Sequence, residues 1–459
     1  MNARRGPSGH QMSPAENTRS VSPARRAAFE ILRRVEDEGA YASVLLAVID
    51  QDLRPDDRAL CYEVVMGVLR WQLWLDALID HYAARKAGTL DKPVRCALRM
   101  GLYELRFLSR IPNSATVNEA VNLVHFAHLR SASGFVNAVL RRATRENDYD
   151  PSTGVADPLQ RVSIATSHPF WLVERWANAL GIIETESFAL ANNEVPPIAF
   201  RLASRDADAP MLIRALLDAG AEVTPSRIAP QAWRVQGASS TVRDLARDGI
   251  IYLQDEASQL VGHVMGTQAG ESVLDVCAAP GSKTTHIAAL APNVALIVAG
   301  DLYDHRLRTV RETSSRLGLM GISVLVHDAN AALPYRDESF DRVLVDAPCS
   351  GTGTLRRNPE IRWRISPQDI KSLAARQKRI LSNSALVVRR GGRLVYSTCS
   401  IEKDENEDVI DAFLSDSKDF VRVVVKADPL LQCSDGTLRT WPQRDGVDGF
   451  FIAALERRR

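Results

Sequence analysis

The sequence predicts a multi-domain protein: an all-α N-terminal domain, a small α+β middle domain and a C-terminal α/β domain with a doubly wound sheet. Two observations carry this prediction. Amphipathic helical segments follow one another up to residue 145 with almost no strand signal between them. From residue 251 onward, apolar strand-like runs alternate with helical stretches, a pattern typical of a parallel sheet with helices on both faces.

The N-terminal part consists of a polar tail and a helical domain. Residues 1–20 are rich in Ser, Pro, Asn and Arg and are predicted to be disordered. Helical structure begins at Ser22-Pro23, an N-cap residue followed by a proline that suits the first helical position. The helical domain is predicted to span residues 21–148. Its later helices are predicted over 43–50, 56–78, 93–108, 115–128 and 133–145.

The middle part, residues 149–250, is predicted to be a linker followed by a small α+β domain. The segment 146–157 holds Asp, Pro, Ser, Thr and Gly without hydrophobic periodicity, which indicates a linker. Helices and short strand-like runs then mix. The helices are expected near 169–180, 184–192 and 210–219, and the strands at 198–202 and 233–235.

The C-terminal domain is predicted over residues 251–459. Its parallel strands are expected at 272–276, 295–300, 323–327, 342–346 and 393–397. Helices are expected between and after them, at 283–291, 305–317, 366–388 and 405–414. Two last strand-like runs, 420–425 and 450–455, are expected to form an antiparallel pair at the sheet edge. The carboxyl ends of the parallel strands meet at one edge, where such sheets bind ligands.

Composition narrows the class of protein. No apolar run approaches the ~18 residues of a membrane span, and the N-terminal residues lack the apolar core of a signal peptide, so a cytoplasmic protein is expected. Organelle targeting by the Arg- and Ser-containing tail stays open. Six cysteines in a chain of this kind do not predict a disulfide framework. No paired Cys or His spacing predicts a metal site, and the protein is expected to be a monomer.

Net charge is +1, but residues 1–145 hold about 21 Lys and Arg against about 15 Asp and Glu. A basic N-terminal part is compatible with nucleic-acid contact. It is equally compatible with helical surfaces that carry Arg for solubility, so the charge alone does not decide between the two.

The first βα turn of the C-terminal domain is the predicted cofactor site. Its small residues let the backbone approach a ligand, and the helix that follows offers free N–H groups. The turn is neither a dinucleotide-binding G-x-G-x-x-G nor a P-loop. The expected cofactor-binding residues here are Cys277, Ala278, Ala279, Pro280, Gly281, Ser282 and Lys283.

Acidic residues end the next two predicted strands. Asp301 comes about 20 residues beyond the glycine, where a carboxylate accepts hydrogen bonds from ribose hydroxyls. Asp328 ends the third strand, where it can receive an adenine amino group. Together with the turn, they predict an adenosine-bearing ligand without a pyrophosphate, S-adenosylmethionine. The alternative is an ordinary strand–glycine–helix turn with acidic caps.

Two cysteines follow the fourth and fifth strands: Cys349 in Asp346-Ala347-Pro348-Cys349-Ser350-Gly351, and Cys399 in Ser397-Thr398-Cys399-Ser400. Methylation of cytosine C5 needs a thiolate that adds to C6, a base that removes the C5 proton and an acid near N3. The two cysteines can supply the first two groups and Asp346 the third. The alternative is that they are small core residues. An amino-group methyltransferase would carry Asn or Asp, Pro, Pro and an aromatic residue after the fourth strand.

The segments Cys277–Lys283, Asp346–Gly351 and Ser397–Ser400, in this order, resemble the RNA (cytosine-5-)-methyltransferase family. The resemblance implies a Rossmann-like class I methyltransferase domain with S-adenosylmethionine as cofactor. It implies that Cys399 attacks the cytosine, that Cys349 assists release, and that Lys283 and Asp346 line the reactive centre next to the cofactor. Ser282 stands where relatives often have a second glycine, which makes the turn stiffer.

Residues 112–121 and 134–141 resemble the helical NusB-like RNA-binding fold. NusB-like helices ahead of such a domain are the arrangement of the bacterial RsmB (Sun) type, which acts on small-subunit ribosomal RNA. The resemblance therefore implies 16S ribosomal RNA as the partner. It leaves the same reaction on transfer RNA as an alternative. A different class, an RNA-binding assembly or antitermination factor with a vestigial methyltransferase domain, is disfavoured by the intact thiol pair.

Two further segments carry predictions. Residues of an Arg-rich stretch after the fourth strand are predicted to neutralise RNA phosphates and stack on a base, namely Arg356, Arg357, Arg362 and Trp363. The alternative is a surface loop in which Trp363 packs on the core. The acidic run 402–408 is predicted to cap the helix after Cys399. Residues 198–250 are expected to help position RNA, an inference from their location.

Overall fold

The computed structural model describes residues 21–49, 53–203 and 208–459. The chain divides into two compact units, Met1–Ile182 and Ile183–Arg459. The predicted disordered tail lies outside the described residues. None of the described helices is long and apolar enough to cross a membrane.

The described part of the first unit is helical. Its helices are α1 (Pro23–Glu38), α2 (Ala42–Ile49), α3 (Pro55–Arg70), α4 (Gln72–Ala83), α5 (Lys92–Phe107), α6 (Asn113–Phe126), α7 (Ser133–Arg145), α8 (Pro158–Thr166) and α9 (Phe170–Leu180). The single helix predicted over 56–78 is broken at Trp71. The break is stabilised from a distance, because the Ser167 hydroxyl accepts hydrogen bonds from the first free N–H groups of α4, those of Leu73 and Trp74.

The segment predicted to be a linker packs against the helices of this unit. The Tyr149 ring stacks on His81 with centroids 3.6 Å apart, and Asp150 accepts a hydrogen bond from the Trp74 indole. The sequence showed no periodicity here because these contacts are made by single side chains. As a result α8 and α9 group with the first compact unit.

After α10 (Ile182–Ala191), a small antiparallel sheet forms. Its elements are β1 (Ile198–Leu202), α11 (Ala209–Asp218), β2 (Glu222–Pro225), β3 (Ala232–Gln236), α12 (Ser239–Arg247) and β4 (Ile251–Leu253), and its strand order is β2-β3-β1-β4. Residues 251–253 were predicted to open the C-terminal domain. They pair antiparallel with β1 instead, with Phe200 opposite Leu253, so the small domain extends a few residues further.

The larger sheet begins after α13 (Glu256–Met265). Its elements are β5 (Ser272–Asp275), α14 (Ser282–Leu290), β6 (Leu296–Asp301), α15 (Asp304–Arg316), β7 (Ile322–Val326), β8 (Phe340–Asp346), α16 (Ile361–Arg364), α17 (Pro367–Leu386), β9 (Val388–Thr398), α18 (Glu407–Asp416), β10 (Phe420–Arg422), β11 (Leu438–Thr440), α19 (Pro442–Asp445) and β12 (Phe450–Arg457). The strand order is β10-β12-β9-β8-β5-β6-β7, with β11 also paired to β12.

Strands β5 to β9 run parallel, while β12 pairs antiparallel with β9 and β10 with β12. The predicted antiparallel edge pair is thus present, and β11 is an addition the sequence did not indicate. The strand order reverses between β5 and β8, which is the switch point where open α/β sheets bind ligands.

Alternate residues of the central strands pack on opposite faces of this sheet. Val343 and Val345 lie in an apolar layer with residues of α17 and α18. Leu344 between them lies in the opposite layer with residues of α13. Because both faces are covered, the strands are continuous apolar runs rather than alternating ones. The covered sheet leaves its strand ends as the place where polar side chains can meet.

Candidate active site

The two strand-end cysteines lie side by side. Strands β8 and β9 are neighbours, with Asp346 opposite Ser397, so the chain segments that follow them leave the sheet together. The Sγ atoms of Cys349 and Cys399 are 3.4 Å apart, and both cysteines are free and partly buried. The sequence predicted that these sulfurs meet, and the parallel pairing of the strands explains why they do.

An ion pair lies at the same edge. The Nζ atom of Lys283, in the first turn of α14, is 2.8 Å from Oδ2 of Asp346 at the end of β8. Ser397 donates a hydrogen bond of 2.7 Å to the other oxygen of Asp346, and the Lys283 ammonium lies 5.2 Å from the centroid of the Phe450 ring. The predicted reactive-centre residues are therefore in one place.

The charges around the thiols are unequal. Burial lowers the pKa of Lys283, but the charges of Asp346 and Cys399 raise it by a larger amount. The pKa is therefore raised overall, and Lys283 stays an ammonium. The hydrogen bond with Cys399, together with burial, raises the pKa of Cys349 well above its usual value. Cys349 therefore holds its proton at neutral pH, and the Lys283 ammonium places a positive charge near Cys399.

The glycine turn precedes α14 and has the backbone geometry that the sequence predicted. Gly281 has φ 102°, in the region that favours glycine. A Cβ atom there would also lie 3.2 Å from the Cα atom of Val310. Within the turn, Ala278 N–H donates to the carbonyl of Gly300, which ties the turn to the end of β6. Burial raises the pKa of Cys277, so this third cysteine of the region stays a neutral thiol.

The two predicted cofactor carboxylates end neighbouring segments. Asp301 is buried and accepts hydrogen bonds from the backbone N–H groups of Ala279 and Tyr303. Asp328 is exposed, and the backbone and side chain of Asn330 lower its pKa by donating hydrogen bonds to it. Among the described residues no donor reaches the buried side-chain oxygen of Asn330. Two carboxylates and a spare acceptor beside a glycine turn fit the hydroxyls and amino group of an adenosine moiety.

Two of the residues predicted to contact RNA, Arg356 and Arg362, are buried in the structure. Arg356 and Arg362 are 2% and 0% exposed. The Nε atoms of Arg356 and Arg357 each donate to the buried Asp448 at 2.8 Å, and Arg362 donates to Asn193 at 2.9 Å. These guanidinium groups join segments of the second unit and are not presented to phosphates. Trp363 is partly exposed on α16.

Sequence reasoning missed one residue of the site. The acidic run was predicted to cap a helix, and Glu407 and Asp408 do lie in the first turn of α18. Glu405 does something else, since its carboxylate binds Ser350 and Ser400, the residues that follow the two cysteines. The repeated Cys-Ser pair was the one available signal, and it did not point to a partner.

Comparison with known proteins gives three matches to family models. Residues 263–456 match the model described as 16S rRNA methyltransferase RsmB/F. Residues 22–145 match the NusB family. Residues 168–242 match the ferredoxin-like domain of RsmF/B-like methyltransferases. These matches confirm the predicted fold classes and the resemblance noted in the sequence.

Relatives extend over nearly the whole chain. Ribosomal RNA small subunit methyltransferase B of Escherichia coli (strain K12) is 33% identical over 454 residues, covering 97% of this chain and 99% of the relative. The enzyme of the same name from Pseudomonas syringae pv. tomato is 35% identical over 399 residues, covering 86% and 87%.

Solved structures agree with the sequence relatives. The crystal structure of PH0851 has a TM-score of 0.82 at 30% identity and covers 95% of this chain and 99% of its own. NSun6 from Pyrococcus horikoshii, solved with the S-adenosylmethionine analogue SFG, shares the fold at 21% identity and a TM-score of 0.55, over 62% of this chain and 97% of its own. The donor set around Gly281 fits the same cofactor. The chain therefore belongs to the RsmB/F family of 16S rRNA methyltransferases, and its cofactor is S-adenosylmethionine.

Proposed function

We propose that this protein methylates C5 of a cytosine in small-subunit ribosomal RNA through a transient bond between Cys399 and C6 of the base. The observation that carries the proposal is the 3.4 Å separation of the two sulfurs beside the Lys283–Asp346 ion pair. The ribosomal substrate is supported by the relatives, which are small-subunit ribosomal RNA methyltransferases. An enzyme of this kind acts in the cytoplasm, and we expect it to act as a monomer.

The steps follow from the charges of the site. The target cytosine turns out of its stack into the pocket at the strand ends. Cys399, which lies near the Lys283 ammonium, adds to C6 as a thiolate, and this addition makes C5 nucleophilic. Asp346, whose carboxylate accepts hydrogen bonds from Lys283 and Ser397, relays a proton from the Lys283 ammonium to N3 as negative charge develops on the ring. S-adenosylmethionine supplies an electrophilic methyl group.

The second cysteine changes its role when the adduct forms. The largest cause that raises the pKa of Cys349 is its hydrogen bond with Cys399. Once Cys399 is bonded to carbon, it carries no charge and this cause weakens. Cys349 can then pass its proton to solvent water, take the C5 proton as a thiolate and allow Cys399 to leave as a thiolate. One thiol starts the reaction and the other ends it, although the two lie in contact.

A pair of variants tests this order of events. Cys399→Ala should abolish methylation of 16S ribosomal RNA and give no covalent complex. Cys349→Ala should accumulate a protein–RNA complex that survives denaturing electrophoresis, because the adduct forms but cannot resolve. Cys433→Ala removes another free, partly buried cysteine of the same unit and should behave like the unmodified protein.

The contrary outcomes are distinct. A stable complex with Cys399→Ala and none with Cys349→Ala would exchange the two roles. No complex with either variant, together with methylation at an atom other than C5, would reject the covalent mechanism. Bisulfite sequencing of ribosomal and transfer RNA from a deletion strain identifies the substrate. Loss of 5-methylcytosine from transfer RNA alone would exclude the ribosomal assignment.

A further inference from the structure

We propose that Glu405 is the positioning residue of the thiol pair: its carboxylate holds together the chain segments that carry Cys349 and Cys399. The catalytic role inferred for Glu405 rests on the covalent mechanism proposed above. The contacts that support it do not depend on that mechanism.

One carboxylate joins both cysteine segments. The backbone N–H of Ser350 donates to Oε1 of Glu405 at 2.9 Å, and the Ser350 hydroxyl donates to Oε2. The Ser400 hydroxyl donates to the same Oε2 at 2.5 Å. Ser350 and Ser400 each follow directly after a cysteine of the pair. Moving the Glu405 carboxylate therefore moves one or both sulfurs.

The carboxylate is itself fixed from a third element. Gln377 of α17 donates to Oε1 of Glu405 at 2.9 Å and to the carbonyl of Pro348, the residue before Cys349, at 3.0 Å. The hydroxyl of the buried Tyr396 donates to the backbone carbonyl of Glu405 at 2.6 Å. The carboxylate thus accepts four hydrogen bonds, two on each oxygen.

This arrangement places a negative charge in the interior without a cation. Glu405 is 0% exposed, and within the described residues no Lys or Arg pairs with it. Burial raises the pKa of Glu405, and the hydrogen bonds from Ser350, Ser400 and Gln377 oppose that rise. With four donors around it, a protonated carboxyl would have to give up an accepted bond. The four donors therefore hold the carboxyl group in place, while burial keeps its pKa above the usual value.

The charge acts unequally on the two sulfurs. The titratable groups around Cys349 are Cys399, Glu405, Asp346 and Tyr396, and ionised Glu405 and Asp346 oppose a second negative charge on Cys349. Cys399 has the Lys283 ammonium near it instead. The hydrogen bond with Cys399, burial and these negative charges together raise the pKa of Cys349. A purely apolar side chain at position 405 would fill the same space, but it would not place a negative charge near Cys349.

The test measures the reactivity of the two thiols in the full chain without cofactor or RNA. Iodoacetamide alkylation of Cys349 and Cys399 is followed across pH by peptide mass spectrometry. In the unmodified protein Cys349 should react only at a pH above the usual range for a thiol. Glu405→Gln should lower the alkylation midpoint of Cys349 by about one pH unit, because a neighbouring negative charge is lost. Ser400→Ala should shift it less, in the same direction.

Glu407→Gln is the matched control. It is the same substitution two residues further on, and its carboxylate binds Arg439 at 2.6 Å rather than the serines, so its profile should equal that of the unmodified protein. If Glu405→Gln does not fold, Ser400→Ala decides. Unchanged profiles in the folded variants would overturn the inference. Shifted profiles in a protein that never forms an RNA adduct would instead refute the proposed function and leave the positioning role standing.

Discussion

Replacing Gly353 by alanine should disable the enzyme without removing any group that reacts. Gly353 lies where two chain segments meet the cysteine segment: its N–H donates to the carbonyl of Cys399 at 2.9 Å, and its carbonyl accepts from the N–H of Gly449 at 2.8 Å. A Cβ atom at position 353 would lie 2.0 Å from the Gly449 carbonyl oxygen and 2.9 Å from that of Cys399. Both atoms belong to the backbone, so no side chain can turn away.

The size of the effect follows from these distances. A carbon and a carbonyl oxygen in contact are about 3.3 Å apart, so the backbone must separate by roughly 1 Å to admit the methyl group. Gly353 is hydrogen-bonded directly to Cys399, so part of that displacement reaches the sulfur. A displacement of about 1 Å at a reacting group can cost about 100-fold in rate. The glycine turn is elsewhere, and cofactor affinity should change little.

The assay is single-turnover methylation of 16S ribosomal RNA with labelled S-adenosylmethionine, alongside the cofactor dissociation constant. Gly134→Ala is the control, because Gly134 lies in α7 and a Cβ atom there meets nothing within 4 Å. It should retain the full rate. A Gly353→Ala enzyme that is equally fast would refute the argument that this close approach fixes Cys399. Equal losses in rate and cofactor affinity would point to general disruption of the domain instead.

Three further predictions concern the cofactor, the buried arginines and pH. Asp301→Ala should raise the cofactor dissociation constant about 10- to 100-fold, since hydrogen bonds to a charged acceptor are lost, and RNA affinity should not change. Titration calorimetry measures cofactor binding, and filter binding measures RNA affinity. Equal weakening of both would exclude the proposed contact between Asp301 and the ribose. Arg362→Ala should lower the free energy of unfolding by about 2–3 kcal/mol, because the hydrogen bonds from the buried guanidinium to Asn193 and to the Asn192 carbonyl are lost. The salt dependence of RNA binding should stay unchanged, and a smaller salt slope would restore the phosphate contact that burial argues against. Burial raises the pKa of Asp275 from 3.8 to about 7, so the folded state binds the extra proton and the stability that this group contributes is lost as pH rises from about 4 to about 7. Asp275→Asn should remove that part of the slope in urea unfolding, at most about 1.4 kcal/mol per pH unit, and parallel curves for the two proteins would contradict it.

Local sequence was sufficient for the elements that are determined by their own residues. The runs ending at Asp346 and Thr398 are apolar on both faces, so they can only be buried strands, and the glycine turn follows from Gly281. Helix α4 shows the limit. Its separation from α3 depends on Ser167, which is 94 residues from Leu73, and no local pattern reports that distance.

The site shows the same division. The sequence predicted that the two cysteines lie close together, because each follows a strand and parallel strands end at one edge of the sheet. The roles of Arg356 and Glu405 could not be assigned, because each depends on a partner far along the chain. Asp448 is 92 residues from Arg356, and Ser350 is 55 residues from Glu405. When only the neighbouring sequence is considered, an arginine whose carboxylate partner is distant in the chain looks like a surface residue.

The pairing of Asp346 with Ser397 has an evolutionary consequence. From that matched pair, Cys349 is three residues away and Cys399 two, and these short spans set where the sulfurs end up. The crossover between β8 and β9 can change length in segments that do not contact the site, since the two strand ends stay paired. A single inserted or deleted residue in either short span would separate the nucleophile from its helper, so natural variation in length should be absent there and common elsewhere.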